Sequence, residues 1–213
     1  MIRRPPRSTQ GVSSAASDVY KRQRMGQPKA LLPFGRQNVL ERVVEAGRSV
    51  TALTVIVINP RLREALDGAG GLEGVELVEN TDPASEQIDS LKLGIERLEA
   101  LGSGFPAGFF IHPVDYPLVG EEDYQALARE LGQGGAYEVF QPACDQRHGH
   151  PVLCRHSLAR RFLELPAGGT ARDVIRDARV SYVAVSNPGV VEDMDTPADY
   201  SRLLELAGGE EPS

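Results

Sequence analysis

Apolar residues along this chain recur with two alternating periods. After Asn38, a good helix N-cap, Val39, Leu40, Val43, Val44 and Gly47 fall at helical spacing, and the run Leu53 to Ile58 that follows reads as a buried strand. Pro60 opens a short helix to Asp67, and Val75 to Val78 alternates as a strand. Ser85 to Leu101 predicts a longer helix with Ile88, Leu91, Gly94, Ile95 and Leu98 on one face, and Phe109 to His112 is the next buried strand. Helix resumes over Glu121 to Leu131. Tyr137 to Pro142 and Pro151 to Cys154 then break the alternation as a strand pair, before a helix over Thr170 to Ala178 and a strand over Val180 to Val185. Thr196, next to Pro197, caps a last helix through Leu206, and residues 207–213 form a polar tail. The order predicts an α/β fold: a mostly parallel sheet covered on both faces, with an added antiparallel hairpin. In such sheets ligands sit beyond the carboxyl ends of the strands, so residues just past strands are the ones to inspect.

Residues 1–23 do not share this pattern. Arg3, Arg4, Arg7, Lys21 and Arg22 against Asp18 give them a net charge of +4, whereas the remainder sums to −11. Pro5-Pro6 and a Ser/Ala-rich run show neither helical nor strand periodicity, so the stretch reads as a foreign or disordered leader and not as a first strand. It resembles translated sequencing-adapter read-through. Poor amphipathic periodicity argues against a transit peptide. The domain proper is therefore expected over 24–206.

The overall charge of −7 argues against a protein that holds long nucleic acids, while leaving a small phosphorylated ligand open. No apolar run approaches the roughly 20 residues of a membrane helix. Two cysteines, Cys144 and Cys154, without a secretory segment are the usage of a cytoplasmic protein with free thiols. Cys144, His148, His150 and Cys154 carry zinc-capable side chains, but their order lacks the usual knuckle spacing, and two thiols on paired strands is the simpler reading.

Four stretches carry candidate chemistry. Arg24 to Gly35 combines Arg24, Gly26 and Lys29 in a Pro-rich segment suited to phosphate: glycine lets backbone N–H groups approach, and the cations offset developing charge. His112-Pro113-Val114-Asp115-Tyr116-Pro117 puts a carboxylate just past a buried strand, where it suits a magnesium ion that takes one or two such oxygens plus phosphate. Asp193 and Asp195, two residues apart ahead of the last helix, offer a second ligand, either of them able to complete a site with Asp115. Arg147-His148-Gly149-His150 and Gly168-Gly169-Thr170-Ala171-Arg172 supply donors for an anionic acceptor through Arg147, His150, Gly169 and Arg172. Each alone also fits a turn or a helix cap.

Together and in this order, these stretches resemble the MobA-like NTP transferase family, most closely its molybdenum cofactor cytidylyltransferase branch, over 24 to about 206. Arg24-Met25-Gly26-x-x-Lys29 is similar to the second half of the family's signature loop. Pro113-Val114-Asp115-Tyr116-Pro117 is similar to its Gly-Asp-Gln-Pro motif, with Val for Gly and Tyr for Gln. Ser90-Leu91-Lys92-x-Gly94 is similar to its Ser-x-Arg-x-Gly segment near the nucleotide. The resemblance implies a Rossmann-like, GT-A-like three-layer sandwich and transfer of CMP from CTP to molybdopterin-bound cofactor. Arg24, Lys29 and Asp115 would be catalytic, Gly26, Lys29, Ser90 and Asp115 would bind nucleotide, and Mg²⁺ would lie on Asp115 with Asp195 or Asp193. A molybdoenzyme of the xanthine dehydrogenase type is the implied partner protein. Rivals are a guanylyltransferase, a sugar- or alditol-phosphate nucleotidyltransferase, and a non-catalytic cofactor-binding chaperone.

The family's opening strand and Leu-Ala-Ala-Gly-x-Ser half-loop have no counterpart before Arg24. The chain as it stands is therefore expected to be poorly stable and weakly active. Purified protein that is monodisperse and turns over like a version with the opening strand restored would overturn this.

Overall fold

A computed structural model describes the backbone of 9–14 and residues 28–67, 72, 74–101 and 107–208. The described strands are β1 (Thr9–Ser14), β2 (Pro33–Phe34), β3 (Gln37–Asn38), β4 (Thr51–Ile58), β5 (Val75–Glu79), β6 (Gly108–Pro113), β7 (Val139–Cys144), β8 (Arg147–His148), β9 (Val152–Arg155) and β10 (Val180–Ala184). The helices are α1 (Val39–Gly47), α2 (Pro60–Asp67), α3 (Gln87–Leu101), α4 (Glu121–Gly132), α5 (Ala159–Leu163), α6 (Ala171–Arg176) and α7 (Pro197–Leu206). The main sheet runs β10-β7-β9-β6-β1-β4-β5, with β8 paired to β7. β6, β1, β4 and β5 are mutually parallel, β9 is antiparallel to both β6 and β7, and β10 is parallel to β7. The carboxyl ends of the parallel strands and the amino end of β9 thus share one edge.

Helix ends follow local chemistry. Asn38 caps α1 in a capping box with Glu41, and Thr196 caps α7 in the same way with Asp199. On α3 the expected face is the one that is buried: Ile88, Leu91, Gly94, Ile95 and Leu98, together with Ser90. Successive strand residues turn to opposite sides of the sheet. Val55, Phe109, Val139 and Cys154 pack with α3, α5 and α6; Ile56, Phe110, Phe140 and Leu153 pack with α1, α2, α4 and α7. The result is the expected three-layer sandwich. Cys144 and Cys154, both free and buried, belong to opposite faces, so the four zinc-capable side chains do not converge.

Two features differ from expectation. First, Thr9–Ser14 forms a strand, between β4 and β6, inside the stretch read as a leader without one. That slot presents unpaired N–H and C=O groups from both neighbours, and ladder hydrogen bonds are backbone interactions that a polar segment can make as well as an apolar one. Hydrophobic patterning carries no signal for such a strand. Second, α5 was not expected, although Leu158, Ala159 and Phe162 are all buried at helical spacing. The hairpin also gains a step: Asp145 and Gln146, with φ of 48° and 62°, form the two-residue turn that pairs β8 with β7. None of the described helices is long and apolar enough to cross a membrane.

Gly149, which follows β8, lies against the segment that precedes α7. An added Cβ there would stand 1.7 Å from the carbonyl oxygen of Val190, a backbone atom that has no rotamer to escape through. His150 N–H donates to that same oxygen at 2.8 Å. Gly149→Ala is expected to destabilise the fold by at least the ~3 kcal/mol at the upper end of overpacking costs. Urea denaturation of the two proteins checks this, and an unchanged midpoint would contradict the close approach.

Candidate active site

The buried cation Lys29 links the ends of the described chain. It lies in a short 3-10 turn, Lys29–Leu31, and is 3% exposed. Its Nζ donates to the Met194 carbonyl and to Asp195 Oδ1, the latter at 3.0 Å. Met194 N–H in turn donates to the Asp115 carbonyl at 2.9 Å. The lysine of the phosphate-loop stretch and the two acidic stretches, far apart in sequence, are thereby one structure. An ammonium has three N–H groups, and these two contacts leave one for a ligand oxygen.

Asp115 stands two residues beyond β6, at the carboxyl edge of the sheet. The phenol of Tyr116 is pushed up to about 12 by burial first and then by the charges of Asp115, Asp193 and Asp195, with Arg172 pulling the other way. The charges of all three candidate metal ligands and of one candidate acceptor residue therefore bear on a single side chain. Among the described residues no group of three or more His, Cys, Asp or Glu side chains forms a ready-made metal cage. A donor set of one or two carboxylates nevertheless suits magnesium, which takes its other ligands from phosphate and water.

Beside this cluster lies a groove of about 750 Å³. Tyr116, His150, Gly169 and Arg172 line it, over an apolar floor that includes Ile88 and Leu91. His150 packs on Tyr116 with ring centroids 4.5 Å apart, and its Nδ1 has no hydrogen-bond partner among the described residues. Gly168, at φ 78°, turns the chain into Thr170, whose N–H and hydroxyl are both taken by Asp173 Oδ2 at 2.8 Å. The Asp173 carboxylate thus already covers the start of the short α6, and the groove's positive charge comes from the side chains of Arg172 and Arg176.

Other expected residues stand elsewhere. Arg147 is exposed and binds Glu192 Oε1 at 3.0 Å and the Val191 carbonyl at 2.8 Å, away from the groove lining. Ser90 is fully buried and accepts from Asn80 Nδ2 at 3.1 Å, which braces the loop between β5 and α3. Lys92 donates to the Leu165 carbonyl at 2.7 Å and so anchors the segment leading to Gly168 and Gly169. Arg24 and Gly26 lie outside the described residues. Gln141 and Tyr182 also line the groove and were not singled out from sequence; the Tyr182 ring stacks on that of His148, with centroids 3.8 Å apart, a pairing of β10 with β8 that only the fold makes.

Two histidines here are held neutral. Burial first, and the charge of His150 second, depress His112 to about 3 despite its hydrogen bond to the Tyr116 backbone. Burial, then Arg172, depress His150 to about 4, while a hydrogen bond to the Ile111 backbone opposes the shift. Because both folded values lie below the ordinary 6.5, the stabilisation is complete above pH 6.5 and is lost as the pH falls toward the folded values. Each histidine is expected to contribute a slope of up to about 1.4 kcal/mol per pH unit between about pH 6.5 and 4.5, before most carboxylates titrate. Urea denaturation over that range checks it. His150→Gln should flatten the slope, and a flat profile in the unaltered protein would contradict it.

Comparison with known proteins agrees with this architecture. The chain is 19% identical over 182 residues to the molybdenum cofactor cytidylyltransferase of Escherichia coli (strain K12), covering 85% of this chain and 90% of that one. Its fold matches the crystal structure of Rv0371c from Mycobacterium tuberculosis H37Rv with a TM-score of 0.76 at 24% identity, over 93% of this chain and 97% of that one. A complex of Rv0371c with manganese matches with a TM-score of 0.73 at 24% identity, over 93% and 98%. The family described as the MobA-like NTP transferase domain matches residues 21–183, and with the strand order and the edge cluster described above, the chain belongs to that family of nucleotidyltransferases.

Proposed function

We propose that the protein transfers CMP from CTP to the phosphate of molybdopterin-bound cofactor and releases pyrophosphate, with Mg²⁺ held by Asp115 and Asp195. The observation that carries this reading is the joining of Lys29, Asp195 and Asp115 through the Met194 backbone at the carboxyl edge of the sheet. Asp193, which also bears on Tyr116, is the alternative second ligand. The name of the E. coli relative supports the cytidylyl and molybdenum-cofactor assignments, and the manganese complex of Rv0371c supports a divalent cation on this fold.

In this reading the acceptor phosphate oxygen attacks the α-phosphorus in line, and the bond from that phosphorus to the bridging oxygen breaks. Pyrophosphate leaves with the electron pair. Lys29, through its remaining N–H, and Arg24 stabilise charge on the bridging and leaving oxygens. Arg172 draws the anionic acceptor into the groove, and His150 Nδ1 offers it a hydrogen-bonding atom. Bound Mg²⁺ would neutralise triphosphate charge and fix its geometry. Ser90, enclosed behind Asn80, would act by shaping the loop and not by touching nucleotide.

The test is magnesium-dependent pyrophosphate release from each of the four NTPs with molybdopterin cofactor, using this chain and one with an apolar opening strand in place of 1–23. Release with CTP is expected, and Asp115→Ala should lower kcat at least about a hundredfold, the scale for losing a preorganised electrostatic partner. Preference for GTP would favour a guanylyltransferase. Retention of CTP without release in either version would favour a cofactor-binding protein.

A further inference from the structure

The turn that carries Asp115 is held through its backbone to an unusual degree. Four consecutive carbonyls each accept from a different element: Asp115 from Met194 N–H at 2.9 Å, Tyr116 from His112 Nε2 at 3.2 Å, Pro117 from Arg42 Nε at 2.6 Å and Leu118 from Asn187 Nδ2 at 2.9 Å. Two of these donors are ionisable side chains placed where neither surface chemistry nor core packing requires them. Arg42 leaves α1 half-buried, lies over the Phe34 ring with its guanidinium carbon 5.2 Å from the centroid, and spends Nε on a proline carbonyl. His112 is 2% exposed. A carbonyl oxygen can only accept, so Nε2 must carry the proton, and the neutral ring then takes the Tyr124 hydroxyl on Nδ1. Tyr124 is itself fixed by its contact with Phe110 and by the close passage of Gly47 on α1.

We infer that Arg42 and His112 are positioning residues for the transferase reaction: gripping the carbonyls of Pro117 and Tyr116 from α1 and β6, they fix the direction in which Asp115 presents its carboxylate. Arg42 does more than hold the turn. Its contact with Phe34 joins the turn to the β2 segment, which lies five residues after Lys29, so the cation and the carboxylate are kept in register through two routes, Met194 and Arg42. His112 carries the constraint from β6, with the Tyr116 carbonyl requiring the Nε2–H tautomer and the Tyr124 hydroxyl holding Nδ1. This is the role that outer-shell partners play for metal ligands, where their loss weakens cation binding by about tenfold to a hundredfold.

The inference rests on the assignment of Asp115 as a cation ligand, and the experiment separates the two. Mn²⁺ alone is titrated into the full chain and followed by electron paramagnetic resonance, for the unaltered protein, Asp115→Ala, Arg42→Met, His112→Leu, His112→Gln and Tyr124→Phe, with thermal melting of each. Arg42→Met keeps the packing on Phe34 and removes the donor. It is expected to weaken Mn²⁺ binding about tenfold, and in the pyrophosphate assay to lower kcat more than it raises KM for CTP. His112→Leu should do the same, and His112→Gln, which can again present an N–H, should recover most of the loss; Tyr124→Phe should show a smaller loss of the same kind. Mn²⁺ binding that vanishes in Asp115→Ala but is unchanged in Arg42→Met and Tyr124→Phe, whatever their melting temperatures, would overturn the positioning role and leave the ligand assignment standing. Mn²⁺ binding that is absent from the unaltered protein, or equal in Asp115→Ala, would overturn both.

Discussion

A single enclosed ammonium group ties this candidate site together. Lys29 is removed from water and answered by one carbonyl and one carboxylate, both from the segment that leads into α7. Removing the Asp195 carboxylate would leave the enclosed ammonium without its counter-charge, which is far more costly than the net worth of the pair itself. The contact therefore constrains where the segment before α7 can run. That segment, through Met194 N–H, constrains the Asp115 turn in its turn.

The sheet supplies the frame in which this contact can form. β6, β1, β4 and β5 point the same way, so whatever follows each strand emerges at one edge. β9 enters between β6 and β7 in the opposite sense, which brings His150, two residues before it, to the same edge as the residues after β6. Tyr116 and His150 consequently pack ring against ring, and the groove that they border continues to Arg172. Gly149 lets the hairpin approach the Val190 carbonyl, and Arg147, holding Glu192 and the Val191 carbonyl, secures the same contact from outside. A residue that sequence places among acceptor donors thus has a structural partner, since its guanidinium meets a carboxylate 45 residues away before it meets the groove.

Most of the fold was legible because it rests on periodicity. The buried face of α3, the caps at Asn38 and Thr196, and the continuous apolar strands β4 and β6 each follow from local pattern. β1 was not legible: its place depends on open hydrogen-bonding positions on β4 and β6, and backbone pairing leaves no mark in side-chain polarity. Ser90 shows the same divide at the scale of one residue. Its position on the helix face was readable, whereas its partner Asn80 comes from the end of another element. Arg42, His112 and Tyr124 carried no motif at all.

The amino-acid sequence by itself determined the alternation of helices and strands and the class of the sheet, since these depend on neighbours along the chain. Tertiary structure alone decided that Lys29 points to Asp195, that the charges of Asp193 and Asp195 bear on Tyr116, and that the Asp115 turn is gripped from α1. Those outcomes depend on distances between segments tens to more than a hundred residues apart, and such distances are set by strand order and packing, which no local pattern encodes.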